Sequence, residues 1–133
     1  MKLILAGILF FALQVSAKAA PEIHTEITFG DKVSKFRVYE RAGVQYFTYN
    51  DTYGKSRDGQ LSKSGYEFIA RKANEIFKFS SNDMNFCRRQ FMSVKTVLNG
   101  KPVERKGCIG SSSPVAKKMA ELANTEQLLL QSP

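Results

Sequence analysis

Few side chains in this sequence could carry out chemistry. Its only thiols are Cys87 and Cys108, and its only imidazole is His24. Together they fall short of the four ligands of a structural zinc site, so metal binding is disfavoured. The economical use of the two thiols is one disulfide, formed and kept in an oxidising compartment. His24 stands between Glu22 and Glu26 with no nucleophile beside it in sequence. That is the setting of a solvated histidine whose charge the glutamates favour. A hydrolase built on His24 or on distant carboxylates is the least favoured reading, tested by whether His24→Ala changes any activity found. No G-x-S-x-G, G-x-G-x-x-G or G-x-x-x-x-G-K-[ST] occurs, and these patterns mark nucleophile elbows and phosphate loops. Asn50, Asp51 and Asp58 offer oxygen ligands, but their spacing departs from a calcium loop and no glutamate closes it. No catalytic residue, metal or cofactor is assigned.

What remains is binding. Arg88 and Arg89 adjoin Cys87, with Lys95, Lys101, Arg105 and Lys106 close behind in the chain. Residues 50–64, NDTYGKSRDGQLSKS, add Tyr53, Lys55, Arg57 and Lys63. The candidate binding residues are Tyr53, Lys55, Arg57, Lys63, Arg88, Arg89, Arg105 and Lys106. With Arg37 and Arg41 they would make one basic area if the fold gathers them. Aromatic and basic residues interleave around Phe86 to Phe91, a pattern able to stack on bases or sugars. A core strand with a solvated opposite face has the same pattern, and the periodicity favours it. Arg88 and Arg89 alternate faces in any strand, so at most one of them points to a given surface.

The N-terminus says where such chemistry would operate. Residues 1–19 start with Lys2, run apolar from Leu3 to Val15 and end on Ala17-Lys18-Ala19. This is a secretory leader, cleaved after Ala19 or, as second choice, Ala17, and it resembles a short bacterial export signal. The apolar run is too short for a spanning helix, which needs about 20 residues. The 133 residues less 19 leave 114, enough for one domain with a core of its own. Ten Phe and five Tyr in the full chain supply aromatic surface for that core. The 20 basic residues less Lys2 and Lys18 leave 18 against 12 acidic, a net charge of +6. An excess of this size favours anionic partners, yet it is ordinary for a small soluble domain.

The elements that must position these residues are organised around the stretch from Cys87 to Cys108. Asn99-Gly100 is the strongest short-range hairpin signal, since both residues tolerate the positive φ of a type I′ turn. A disulfide closing a loop of about 22 residues contributes roughly 3 kcal/mol in the chain-entropy model. Hairpin and disulfide conflict, however. A two-residue turn sets Cys108 opposite Phe91, four residues from Cys87, a gap of roughly 13 Å. A bend near Cys87, a longer turn or a departure of the second arm would resolve it. Pro102 lacks an N–H and Gly107 a side chain, so the irregularity is expected between Pro102 and Gly107, on an edge strand.

Before the hairpin, Glu22 to Phe29, Val33 to Arg41 and Val44 to Tyr49 alternate with period two and read as a three-strand meander turning at Gly30-Asp31 and Ala42-Gly43. Residues 50–64 show no usable periodicity and read as a long exposed basic loop, with Tyr53, Lys55 and Arg57 at its tip. Ser64-Gly65-Tyr66-Glu67 is a capping box that starts a helix at Gly65. Tyr66, Ile69, Ala70, Ala73, Ile76 and Phe77 form its buried face. Phe68 and Phe79 lie on another side, with core burial the expectation for both. Ser113 caps a C-terminal helix from Pro114 to about Ala123, with a weaker continuation past Asn124-Thr125. Leu128-Leu129-Leu130 is expected to dock against the body of the protein.

The order is βββαββα, an α+β fold with an antiparallel sheet of about five strands, two helices on one face and one disulfide. The favoured function is that of a non-catalytic exported protein, periplasmic or secreted, recognising another envelope or extracellular protein in the manner of an inhibitor. The alternative is a binder of an anionic polymer, nucleic acid or acidic polysaccharide. No membrane span is expected after cleavage.

Overall fold

Alternating side chains build most of this molecule, because each strand has one face to bury and one to leave in water. The computed structural model describes residues 21–80, 82–84, 87–98 and 100–131, and of Leu98 only the backbone. The leader, both cleavage sites and Asn99 lie outside the described residues. The described residues form six strands: β1 (Ile23–Phe29), β2 (Lys32–Arg41), β3 (Val44–Asp51), β4 (Ser56–Leu61), β5 (Gln90–Leu98) and β6 (Lys101–Cys108). Helix α1 (Lys63–Phe77) follows β4, and α2 (Pro114–Gln131) closes the chain. The sheet is antiparallel throughout, in the order β4-β3-β2-β1-β5-β6. The fold is α+β as expected, with one strand more than the sequence indicated.

The extra strand comes from the stretch expected to be a loop. Ser56–Leu61, SRDGQL, pairs with β3 from Gln45↔Leu61 to Asn50↔Ser56. Its composition is polar because it is an edge strand whose helix-side residues are Arg57, Gly59 and Leu61, and only Leu61 among these is buried. Period-two hydrophobicity has nothing to register there. Gly59 makes room for Phe47: a Cβ at this position would overlap the Phe47 ring. The turn that remains is short and is tied by Asp51, whose Oδ1 accepts from the amides of Tyr53 (2.9 Å) and Lys55 (3.2 Å).

Because β4 ends at Leu61, the chain enters α1 at once. The cap is therefore Ser62, whose hydroxyl accepts from Gly65 N at 3.0 Å, and not Ser64. Tyr66, Ile69, Ala73 and Ile76 are buried against the sheet as expected. Phe79 packs against the core, but Phe68 is 39% exposed and lies under the cations of Arg71 and Lys72. Helix α2 runs unbroken through Asn124-Thr125, and the Thr125 hydroxyl donates back to the Glu121 carbonyl at 2.9 Å. Three successive residues cannot share one helical face. Leu129 and Leu130 accordingly reach the core, while Leu128 is 64% exposed. The helices lie antiparallel, tied by Lys72–Glu121 at 3.4 Å and Lys118–Glu75 at 3.0 Å. Both cover the face of the sheet that carries Ile23, Phe36, Val38, Phe47, Met92 and Val94.

The hairpin conflict is resolved in the first arm. Leu98 pairs with Lys101 and Phe91 with Cys108, the register of a two-residue turn, and β6 is regular through Gly107. Cys87 and Cys108 are nevertheless bridged, with their Cα atoms 5.0 Å apart. Residues before Gln90 leave the ladder: Arg89 has φ 59°, and its carbonyl accepts from Gly30 N at 2.9 Å. Cys87 is thus folded back toward β6. Pro102 distorts nothing because it occupies a pair, Val97↔Pro102, whose N–H position points away from β5.

Candidate binding face of the sheet

Among the described residues, one face of the six strands has no helix over it. Register places its side chains in rungs that cross the whole sheet. One rung runs Asp58, Thr48, Arg37, His24, Lys95, Glu104 from β4 to β6, and the next runs Ser56, Asn50, Lys35, Glu26, Ser93, Lys106. The middle of both rungs lines a groove of about 610 Å³. Lys35, Arg37 and Lys95 face Glu26 and His24 there, with the hydroxyl of Thr48 and the amide of Asn50 beside them.

The electrostatics of the face are largely settled by its own pairs. Arg37 Nη2 donates to Glu22 Oε1 at 2.6 Å, and this bond holds the Glu22 carboxyl below its ordinary range against a smaller opposing effect of burial. His24 Nε2 and Glu22 Oε2 are 3.0 Å apart. Ser93 Oγ donates to Glu104 Oε2 at 2.8 Å and, ahead of the nearby lysines Lys106 and Lys95, keeps that carboxyl low. Lys95 lies 3.5 Å from Glu104. Lys35 has no carboxylate within ion-pair distance among the described residues. At one end of the face the rings of Tyr39 and Tyr46 stack at 5.6 Å, and the Arg37 guanidinium lies 4.2 Å from the Tyr39 centroid. That cation occupies the ring surface a sugar or base would use.

The candidate residues from the sequence are divided among several places. Tyr53, 71% exposed, and Lys55 sit in the β3–β4 turn. The bonds Thr52 N to Val33 O and Gly30 N to Arg89 O bring that turn to the same end of the sheet as Arg89. Arg89 pairs there with Asp31 at 2.6 Å, and Arg88 is exposed beside it. Lys106 stands on the open face. Lys63 is the exposed first residue of α1. Arg57 and Arg105 turn to the helix side: Arg57 Nη1 donates to the Leu130 carbonyl, and Arg105 Nε donates to the Phe79 carbonyl at 2.6 Å. Arg57 is a strand residue, not a loop tip. The eight residues therefore do not form one basic area.

The groove residues themselves were missed as a group. Alternation in β1 does put His24 and Glu26 on a polar face, but nothing local reveals that β5, some seventy residues away, lies next to β1. Among the described residues no three His, Cys, Asp or Glu side chains are grouped so as to hold a metal. No described helix is long and apolar enough to cross a membrane. No family model matches the chain, and no curated protein matches its sequence.

Proposed function

We propose that this chain is an exported, non-catalytic protein that recognises another protein with the uncovered face of its sheet. The observation that carries the reading is the face itself: six strands whose described helices both lie on the other side, and a groove of about 610 Å³ in which cations, a carboxylate, a hydroxyl and an amide alternate. A surface of mixed sign selects a partner of complementary charge pattern and fixes its register. The Cys87–Cys108 bridge and the leader-like residues 1–19 support a destination outside the cytosol.

An anionic polymer is less well served. Arg37, Lys95 and Arg89 already have carboxylate partners, and Arg57 and Arg105 hydrogen-bond to backbone carbonyls. A polymer would have to displace the carboxylates to use the cations.

The test is a photo-crosslinking residue placed at Thr48, which lines the same groove, in cells that make the protein. The expected result is one covalent protein partner, whose capture is lost in the Lys35→Glu background. Absence of any partner would count against the reading. So would binding to DNA, RNA or acidic polysaccharide that weakens steeply between about 50 and 200 mM salt, which marks release of several counterions.

A further inference from the structure

The outward-facing backbone groups of β4 can be read from its ladder. Antiparallel pairs alternate between residues that exchange both hydrogen bonds and residues that exchange none. Asp51 N donates to Lys55 O at 3.0 Å. The bonded pairs are then Tyr49 with Arg57, Phe47 with Gly59 and Gln45 with Leu61. Ser56, Asp58 and Gln60 consequently turn their N–H and C=O groups away from β3. All three residues are exposed, and no described residue bonds to these groups.

The opposite edge is covered over its second half. Pro102 has no N–H to offer, Asp83 N donates to Lys106 O at 2.9 Å, and Cys108 N donates to Asp83 O at 2.9 Å. Lys106 N donates to Asn82 Oδ1 at 2.9 Å. Among the described residues only β4 presents a run of three open positions. Beside it, on the helix side, is a hollow of about 440 Å³ lined by Phe47, Gly59, Leu61, Gly65 and Leu129 among others.

We infer that the β4 edge accepts an extended segment of another polypeptide as a seventh strand, with an apolar side chain in the hollow and a cationic one beside Asp58. The inference rests on the protein-recognition reading above and names the part of the partner involved. A residue opposite Gly59 on the added strand points to the helix side and meets the hollow. Its neighbour opposite Asp58 points to the open face and meets that carboxylate. Main-chain bonds supply affinity in this mode, and alternate side chains supply specificity. A second copy of this chain is the poorer occupant. The two-fold register that uses all three open residues sets Asp58 opposite Asp58, with Cα atoms about 5.5 Å apart, and like charges directly opposite are destabilising.

The experiment screens phage-displayed random octapeptides against the whole disulfide-bonded protein and measures the enriched peptides on two variants. Gln60→Pro removes an outward N–H without touching a bond to β3, and Asp58→Lys reverses one charge on an exposed side chain. The expected peptides carry Lys or Arg next to Leu, Ile, Val or Phe and bind Gln60→Pro at least tenfold more weakly. Asp58→Lys should weaken them similarly and shift preference to the same peptides with Glu for Lys. Should Gln60→Pro not fold, N-methylation of the peptide amides that would donate to β4 replaces it, with the same tenfold loss expected. No enrichment, enrichment without that pair of residues, or affinity indifferent to these changes would overturn the inference. So would a concentration-dependent dimer with Ser56 and Gln60 amides protected from exchange, which would give the edge to a second copy. A crosslinked partner at Thr48 that survives both edge variants overturns the edge inference alone; failure of the crosslink overturns the broader reading.

Discussion

Thr25 Oγ1 donates to Glu126 Oε2 at 3.0 Å in the interior, where α2 meets β1, and the other carboxyl oxygen of Glu126 has no hydrogen-bond partner among the described residues. Glu126 is 2% exposed. Burial pushes its pKa up to about 8, and the Thr25 hydroxyl opposes this only in part. The folded protein thus keeps a proton that the unfolded chain gives up near pH 4.5. Stability from this group is complete below that point and is lost as pH rises toward about 8. The expected loss is about 1.4 kcal/mol per pH unit at its steepest. Glu126→Gln should flatten the profile across this window and leave the protein more stable at pH 8, as read by urea denaturation. An unchanged profile would mean that the carboxylate is charged and compensated in the fold.

Two glycines in contact with the core should respond differently to a methyl group. A Cβ at Gly59 overlaps the Phe47 ring, which is buried and stacked on Phe36 at 5.5 Å. A Cβ at Gly107 meets the thioether sulfur of Met119 at 2.7 Å. A ring held on both sides cannot move as a flexible thioether can. Gly59→Ala should therefore lose about 1–3 kcal/mol, and Gly107→Ala clearly less. Thermal denaturation of the pair checks the order.

Arg89 has φ 59°, a region that costs a residue with a Cβ roughly 1 kcal/mol. Its ion pair with Asp31 is mostly exposed and contributes little. Arg89→Gly should stabilise the protein by about 0.5–1 kcal/mol, whereas Arg89→Val should destabilise it. A loss of stability in the glycine variant would show that the side chain matters more than the bend.

The bridge between Cys87 and Cys108 closes the bend and lies next to the 82–84 segment that covers β6. Replacing both cysteines by alanine should lower stability by about 3 kcal/mol. The Asp83 amide, which donates to Lys106 O, should then exchange with solvent much faster than the amides of β1. Equal protection at both places would mean that the edge cover holds without the disulfide.

Much of this molecule is legible one residue at a time. Period-two alternation located β1, β2 and β3 and the sides on which Phe36, Val38, Phe47 and Tyr49 fall, because each strand's burial pattern is written in its own side chains. The turn read at Asn99-Gly100 foretold the pairing of Leu98 with Lys101, and Ser113-Pro114 foretold the start of α2, since turns and caps depend on local backbone preference. The two cysteines implied their bridge because nothing else in the chain could engage them.

The rest was decided only when distant segments met. β4 is a strand because β3 offers it an open edge, and its SRDGQL sequence carries almost no hydrophobic signal of its own. Ser62 rather than Ser64 caps α1 because β4 leaves no residues to spare. The bend fell at Arg89 and not in β6 because the chain before Gln90 is pinned to the β1–β2 turn. Glu126 entered the core through an unbroken α2 that buries that face of the helix, a consequence of packing against Thr25 that no spacing of charges foretells. The groove of His24, Glu26, Lys35, Arg37 and Lys95 exists because β1 lies between β2 and β5, and such neighbourhood belongs to the folded chain alone.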